Sequence, residues 1–207
     1  MKSAGSFVVT RMISVMLGLI LSSAVLAEED TVRIIMTTSM GEIGIDLYAD
    51  KAPITVKNFL QLVDGDHLDD GSFYRVVTYA NDNGKPKIEV IQGGRGDAPS
   101  PFPPIDHETT EQTGILHKDG VISMARGDVG TASSEFFICI GDQPGLDHGQ
   151  LRNADGQGFA AFGTVVSGMD VVRSINNASA ATASDSEYTK GQILAEPVKI
   201  IRTQRAD

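Results

Sequence analysis

The chain has 207 residues, 17 of them Lys or Arg and 27 Asp or Glu, for a formal charge of −10 at pH 7. So acidic a chain offers little to offset phosphate repulsion, which argues against nucleic acid as a partner. A single cysteine, Cys139, rules out an internal disulfide. No His or cation flanks it, so it reads as a small buried hydrophobe rather than a reactive thiol.

Lys2 and Arg11 give a positive start, Met12–Leu26 is an uncharged apolar run, and Val25-Leu26-Ala27 puts small residues at a cleavage position. Residues 1–27 therefore read as a secretory signal peptide and residues 28–207 as one acidic globular domain. The run is shorter than the ~20 residues that span a bilayer, and Glu28-Glu29-Asp30 follows at once. Cleavage would leave no membrane insertion, and a retained anchor is the alternative. The expected location is outside the cytoplasm, in the periplasm.

Val32–Thr38 is β-branched, Ser39-Met40-Gly41 breaks it, and Glu42–Tyr48 alternates polar and apolar, which predicts a β-hairpin with one wet face. The period then changes. Pro53 at a first-turn position leads Ile54, Val56, Phe59, Leu60 and Val63 in a helical stripe, with Gly65 placed as a C-terminal cap. Further strands are expected at Phe73–Tyr79, Lys87–Gln92, Gly120–Ala125, Glu135–Ile140, Phe159–Val166 and Glu196–Arg202. Asn81-Asp82-Asn83-Gly84 predicts an exposed hairpin turn between the third and fourth strands. A second helix is expected at Gly168–Ile175, N-capped by Ser167. Eight strands and two helices imply a mainly β fold, a closed eight-stranded antiparallel barrel capped by two α-helices, since closure removes exposed edges. Long stretches at Gly93–Lys118, Asp142–Gly158 and Asn176–Lys190 lack periodicity, and loops of that length are often functional.

Most candidate chemistries fail on spacing. His107-Glu108-Thr109-Thr110-Glu111 ends in Glu where a zinc-binding helix needs a second His, so it reads as a surface loop. The acidic cluster Asp64, Asp66, Asp69 and Asp70 lacks the calcium-loop spacing. Ser133 and Ser134 have no nearby base, and Gly93-Gly94-Arg95-Gly96 opens a proline-rich loop rather than a phosphate-binding helix. No metal and no cofactor is expected.

Three segments carry a more specific signal: Phe73-Tyr74-Arg75-Val76-Val77, Ile91-Gln92-Gly93-Gly94, and Ser123-Met124-Ala125-Arg126 running to Ser134-Glu135-Phe136-Phe137-Ile138. In this order they resemble the cyclophilin family of peptidyl-prolyl cis/trans isomerases: its F-H-R-hydrophobic strand, its Q-G-G turn and its S-M-A-N…S-Q-F-F-I segment. Leu146-Asp147 and the run from Phe159 to Val172 extend the likeness over residues 31 to about 203. The resemblance implies a folding catalyst for exported proteins acting on proline-containing peptides and unfolded chains, and a monomer is expected. By the same resemblance Arg75 matches the catalytic arginine and Gln92 the glutamine that orients it. Phe137 matches the floor of the proline pocket, Leu146 its wall, and Val90 a position often held by Met. Ala125 and Arg126 match the segment whose backbone binds peptide.

The departures are Glu135 for the usual Gln, Phe159 for a common His, Gly145 for a frequent Trp, and Glu89 where a pocket Phe is expected. The chain is also longer than usual between Arg75 and Gln92 and at Asp147–Gly158. Without an indole at Gly145, weak cyclosporin binding is expected. Carboxylates at Glu89 and Glu135 could pair with Arg75, which motivates the alternative of a catalytically weak proline-peptide-binding module. Period two on the strand 73–79 puts Arg75 on the face of Phe73 and Val77.

Overall fold

A computed structural model describes Met1, residues 31–181, Ser184 and residues 186–206 of the chain. The leader expected at 1–27 lies outside the described residues, Met1 apart. β1 (Thr31–Thr38) and β2 (Gly41–Tyr48) form the expected hairpin. Ile34 and Met36 face inward with Ile43, Ile45 and Leu47, all fully buried, while Arg33 and Asp46 pair across the outer face at 2.6 and 2.8 Å. That is the period-two pattern of a strand pair with one wet face.

α1 (Pro53–Asp64) follows, and Phe59 from it packs inside the barrel against Phe136 and Phe162, with ring centroids 5.4 and 5.1 Å away. Ile54, counted in the apolar stripe, faces solvent instead. Gly65 does cap the helix, but its φ is −98°, and the left-handed turn falls on Asp66. A Cβ at 65 would stand 2.7 Å from the His67 ring, so a larger residue there would push that side chain aside.

The remaining strands are β3 (Ser72–Val77), β4 (Val90–Gly94), β5 (Val121–Met124), β6 (Phe136–Cys139), β7 (Ala160–Ser167) and β8 (Ile193–Arg205). They close in the order β1-β2-β7-β5-β6-β4-β3-β8, with every neighbouring pair antiparallel. The eight-stranded barrel is as expected, and three short or medium helices accompany it, α2 (Thr110–Thr113) and α3 (Met169–Asn176) being the others.

Several local expectations change. Glu108 is not on a surface loop: it is buried, and its carboxylate accepts from the Ile54 N–H at 3.2 Å, the Thr55 N–H at 2.8 Å and the Thr55 hydroxyl at 2.7 Å. Ala52 at the N-cap of α1 has no side-chain oxygen, so the bare N–H groups of the first turn take a carboxylate from a distant loop. The next residue, Thr109, opens α2 with a reciprocal capping box to Gln112. α3 is capped by Gly168 in the left-handed region rather than by Ser167, because a Cβ at 168 would lie 2.2 Å from the Glu42 carbonyl oxygen. β8 runs beyond the expected 196–202 at both ends and pairs with both β1 and β3.

Nor is Asn81–Gly84 an exposed hairpin turn. Asp82 is buried, and its carboxylate accepts from the N–H groups of Gly84 at 3.0 Å and Ile88 at 2.8 Å, folding 78–89 into a long connection. β6 is buried along its whole length: Phe136 and Ile138 join the barrel core, while Phe137 and Cys139 join a second cluster with Val77, Ile88, Val90 and Leu146. Cys139 is thus packing, with burial pushing its thiol well up.

Replacing Glu108 with Ala removes a buried cap and should cost about 1–2 kcal/mol. The check is urea denaturation, where the midpoint falls at an unchanged slope; an unmoved midpoint contradicts the assignment.

Candidate active site

The second cluster lies outside the barrel core and floors a cavity of about 280 Å³. Arg75, Val90, Gln92, Ala125, Arg126, Phe137, Leu146 and Phe159 all line it. Glu135 does not; it lines an adjoining depression that shares Gln92, Ala125 and Arg126. Ile88, which the sequence reading passed over, lines the cavity, and Glu89 does not. With Val90 and Gln92, Ile88 forms a period-two row, so apolar side chains fill the wall on this side and Glu89 falls off it.

Arg75 does not share a face with Phe73. The β3 register shifts between these residues against both neighbours: Phe73 faces Val198 on β8 whereas Arg75 faces Ile193. Against β4 the extra residue is Tyr74, since Phe73 faces Gly93 and Arg75 faces the next residue, Gln92, while on β8 Leu194–Pro197 lies between the residues that face them. The bulge sends Phe73 and Val76 into the barrel and leaves Arg75 and Val77 on the cavity side.

The Arg75 guanidinium donates from Nε at 2.9 Å and Nη2 at 2.6 Å to Gln192 Oε1, and from Nη1 at 2.9 Å to Gln92 Oε1. Gln192 is fully buried and fixed in turn by donating to the Asn81 carbonyl at 2.8 Å. Nothing local marked it, since it stands just before β8, far along the chain from Arg75. Among the described residues Arg75 has no carboxylate partner. Glu135 instead accepts from the Tyr74 hydroxyl at 2.7 Å and the Arg95 N–H at 2.8 Å, and Tyr74 accepts from Gln92 Nε2 at 2.9 Å. A neutral hydroxyl and an amide therefore stand between Glu135 and the guanidinium. Burial, reinforced by Glu135, pushes the Tyr74 hydroxyl far above its ordinary range.

Phe137 is held on two sides. Phe159 meets it edge-on at 5.3 Å and His117 stacks on it at 5.9 Å. His117 bridges Asp147, 2.7 Å from Nδ1, and Ser123, 3.0 Å from Nε2. The order is that of a Ser–His–Asp triad, yet Ser123 is fully buried, so no substrate carbonyl reaches it. The three residues brace the cavity floor.

The family model described as cyclophilin type peptidyl-prolyl cis-trans isomerase/CLD matches residues 33–205. The chain belongs to the cyclophilin-type peptidyl-prolyl cis-trans isomerase family. Peptidyl-prolyl cis-trans isomerase A of Dickeya dadantii is 31% identical over 185 residues, covering 87% of this chain and 90% of that protein. The peptidyl-prolyl cis-trans isomerase of Acinetobacter baylyi is 33% identical over 192 residues, 90% of each chain. In fold, a Cryptosporidium parvum cyclophilin solved in the presence of the dipeptide Ala-Pro superposes with a TM-score of 0.63 at 20% identity, covering 84% of this chain and 99% of that one.

In this cyclophilin-type chain two long loops, 78–89 and 147–158, pack beside the cavity. A Cβ on Gly145 would lie 2.5 Å from Pro86 Cγ, so the long 78–89 connection fills the space in front of this glycine. Asp82 of that connection pairs with Arg152 of the 147–158 loop at 2.7 and 2.9 Å, with both side chains buried. Burial raises the Asp82 carboxyl, but the Arg152 guanidinium and two backbone N–H groups outweigh it and hold the group below its ordinary value. The Arg126 side chain is buried as well. Its guanidinium lies over Phe159 at 5.4 Å and bonds the Gly158 carbonyl and Asp155, whose carboxyl it draws down to about 2.

Burial also lifts the Glu135 carboxyl above its ordinary 4.5, outweighing the bonds from Tyr74 and the Arg95 N–H. The folded state therefore holds this proton to higher pH than the unfolded chain does. The Glu135 contribution to stability falls as pH rises from 4.5 through the raised folded value and is flat above it. Denaturation midpoints measured from about pH 4 to about pH 7 should show the wild type losing stability relative to Glu135→Gln across that window. Parallel profiles would contradict it.

Proposed function

We propose that this chain is a peptidyl-prolyl cis/trans isomerase in which the apolar cavity takes a proline ring and Arg75 stabilises the twisted amide. Rotation about an Xaa-Pro bond has a barrier of ~18–20 kcal/mol and takes ~10–100 s unaided. No bond is made or broken, so no nucleophile is required. In the twisted state the proline nitrogen turns pyramidal and gains a lone pair that accepts a hydrogen bond. A donor aimed there favours the transition state over the planar ground state, which is the condition for catalysis.

The observation that carries this reading is the state of Arg75. A guanidinium has five N–H donors, and its described partners, Gln192 and Gln92, engage one each on Nε, Nη1 and Nη2. One N–H on Nη1 and one on Nη2 remain. Both acceptors are neutral amides, so the positive charge is oriented without being neutralised. Phe137, Leu146, Phe159 and Val90 exclude water around the ring that would enter, where electrostatic contacts are strongest. Ala125 gives its N–H to the Glu135 carbonyl at 2.8 Å, so its carbonyl is what it can offer a substrate backbone.

Arg75→Ala should lower kcat/KM on a short Xaa-Pro peptide by on the order of a hundredfold, the scale of losing one preorganised donor, with an unchanged circular dichroism spectrum. Rates equal to wild type would defeat the mechanism.

The substrates we propose are exported proteins still folding, on the support of the basic start and short apolar run at residues 1–27. Mass spectrometry of the protein from its own cells should find a chain beginning at Glu28 in the periplasmic fraction. An intact chain in the cytoplasm would overturn this placement.

A further inference from the structure

Tyr188 belongs to none of the motifs above. It comes from the Ala-, Ser- and Thr-rich stretch after α3, yet its ring lines the cavity with about half its surface exposed. The Arg75 guanidinium lies over this ring at 5.1 Å, and that of Arg152 lies over it at 5.6 Å. Arg152 also donates to the Tyr188 hydroxyl at 2.9 Å. The backbone is tied down as well, since Asn83 Nδ2 donates to the carbonyls of Tyr188 at 3.2 Å and Lys190 at 3.0 Å.

We propose that Tyr188 is a positioning residue for Arg75. The two glutamines hold the guanidinium by its edges and resist swinging within its plane. They do little against tilting out of that plane. An aromatic face against the guanidinium supplies this second restraint, attracts the cation and keeps water from one side of it. Two cations against one ring would ordinarily compete, but Asp82 neutralises Arg152 with a bidentate pair. The 78–89 and 147–158 loops thus serve to hold the ring: Asp82 fixes Arg152, Arg152 fixes the hydroxyl, and Asn83 fixes the main chain. This role rests on the proposed reading of Arg75 as the group acting on the proline amide.

The test compares Tyr188→Leu, Tyr188→Phe and wild type by NMR, measuring kcat and KM on a proline peptide together with the shift and solvent exchange of the Arg75 Nε–H. Tyr188→Leu should lower kcat about two- to fivefold, the size of a partly exposed cation–aromatic contact, with KM little changed and faster Nε–H exchange. Tyr188→Phe keeps the ring and should recover most of the loss. Asn83→Ala, a milder change at an exposed side chain, should move the Arg75 signal in the same direction by less, and it serves if the leucine variant does not fold. An unmoved Arg75 signal overturns the proposal, as does a loss confined to KM. Were the wild type to show no isomerase activity, the proposed function would fall, while the Arg75 signal would still decide whether Tyr188 positions the guanidinium.

Discussion

Phe136 and Phe137 are consecutive residues of one strand, and they are buried on opposite sides of it. Phe136 packs with Phe59 and Phe73 inside the barrel, and Phe137 floors the cavity outside it. A slip of one residue in β6 would exchange the two faces, so the register that closes the barrel also places the cavity floor. β4 repeats the device, with Ile91 inside and Val90 and Gln92 outside. The site is therefore built on the outer face of a closed wall, where the backbone has no free edge to rearrange.

The chain is strongly acidic, and the three arginines that line the cavity are disposed in two ways. Arg126 pairs with the part-exposed Asp155, and Arg152 is buried against Asp82, where removing one partner would strand a charge and cost several kcal/mol. Arg75 is held by amide oxygens alone among the described residues. The nearby Glu135 is occupied by Tyr74 and the Arg95 N–H. Of these three, the two paired with carboxylates fasten the loops, and Arg75 keeps neutral partners.

Those loops form a second layer around the mouth. Pro86 fills the space over Gly145, and the Asp82–Arg152 pair fastens the two loops to each other.

By itself the sequence determined the eight strands and the main helix, because alternation and the Pro53 stripe are local consequences of burying one face. The motifs around Arg75, Gln92 and Phe137 also named most residues that line the cavity. It could not place the bulge that separates Arg75 from Phe73, since that irregularity is a matter of register against β4 and β8, which lie elsewhere in the chain. Gln192, Tyr188 and the His117 brace were likewise silent, and Glu108 read as surface. A hydrogen bond or an ion pair leaves no periodicity in sequence, so which side chains hold Arg75, and which acid does not, was decided only when closure of the barrel brought distant loops together.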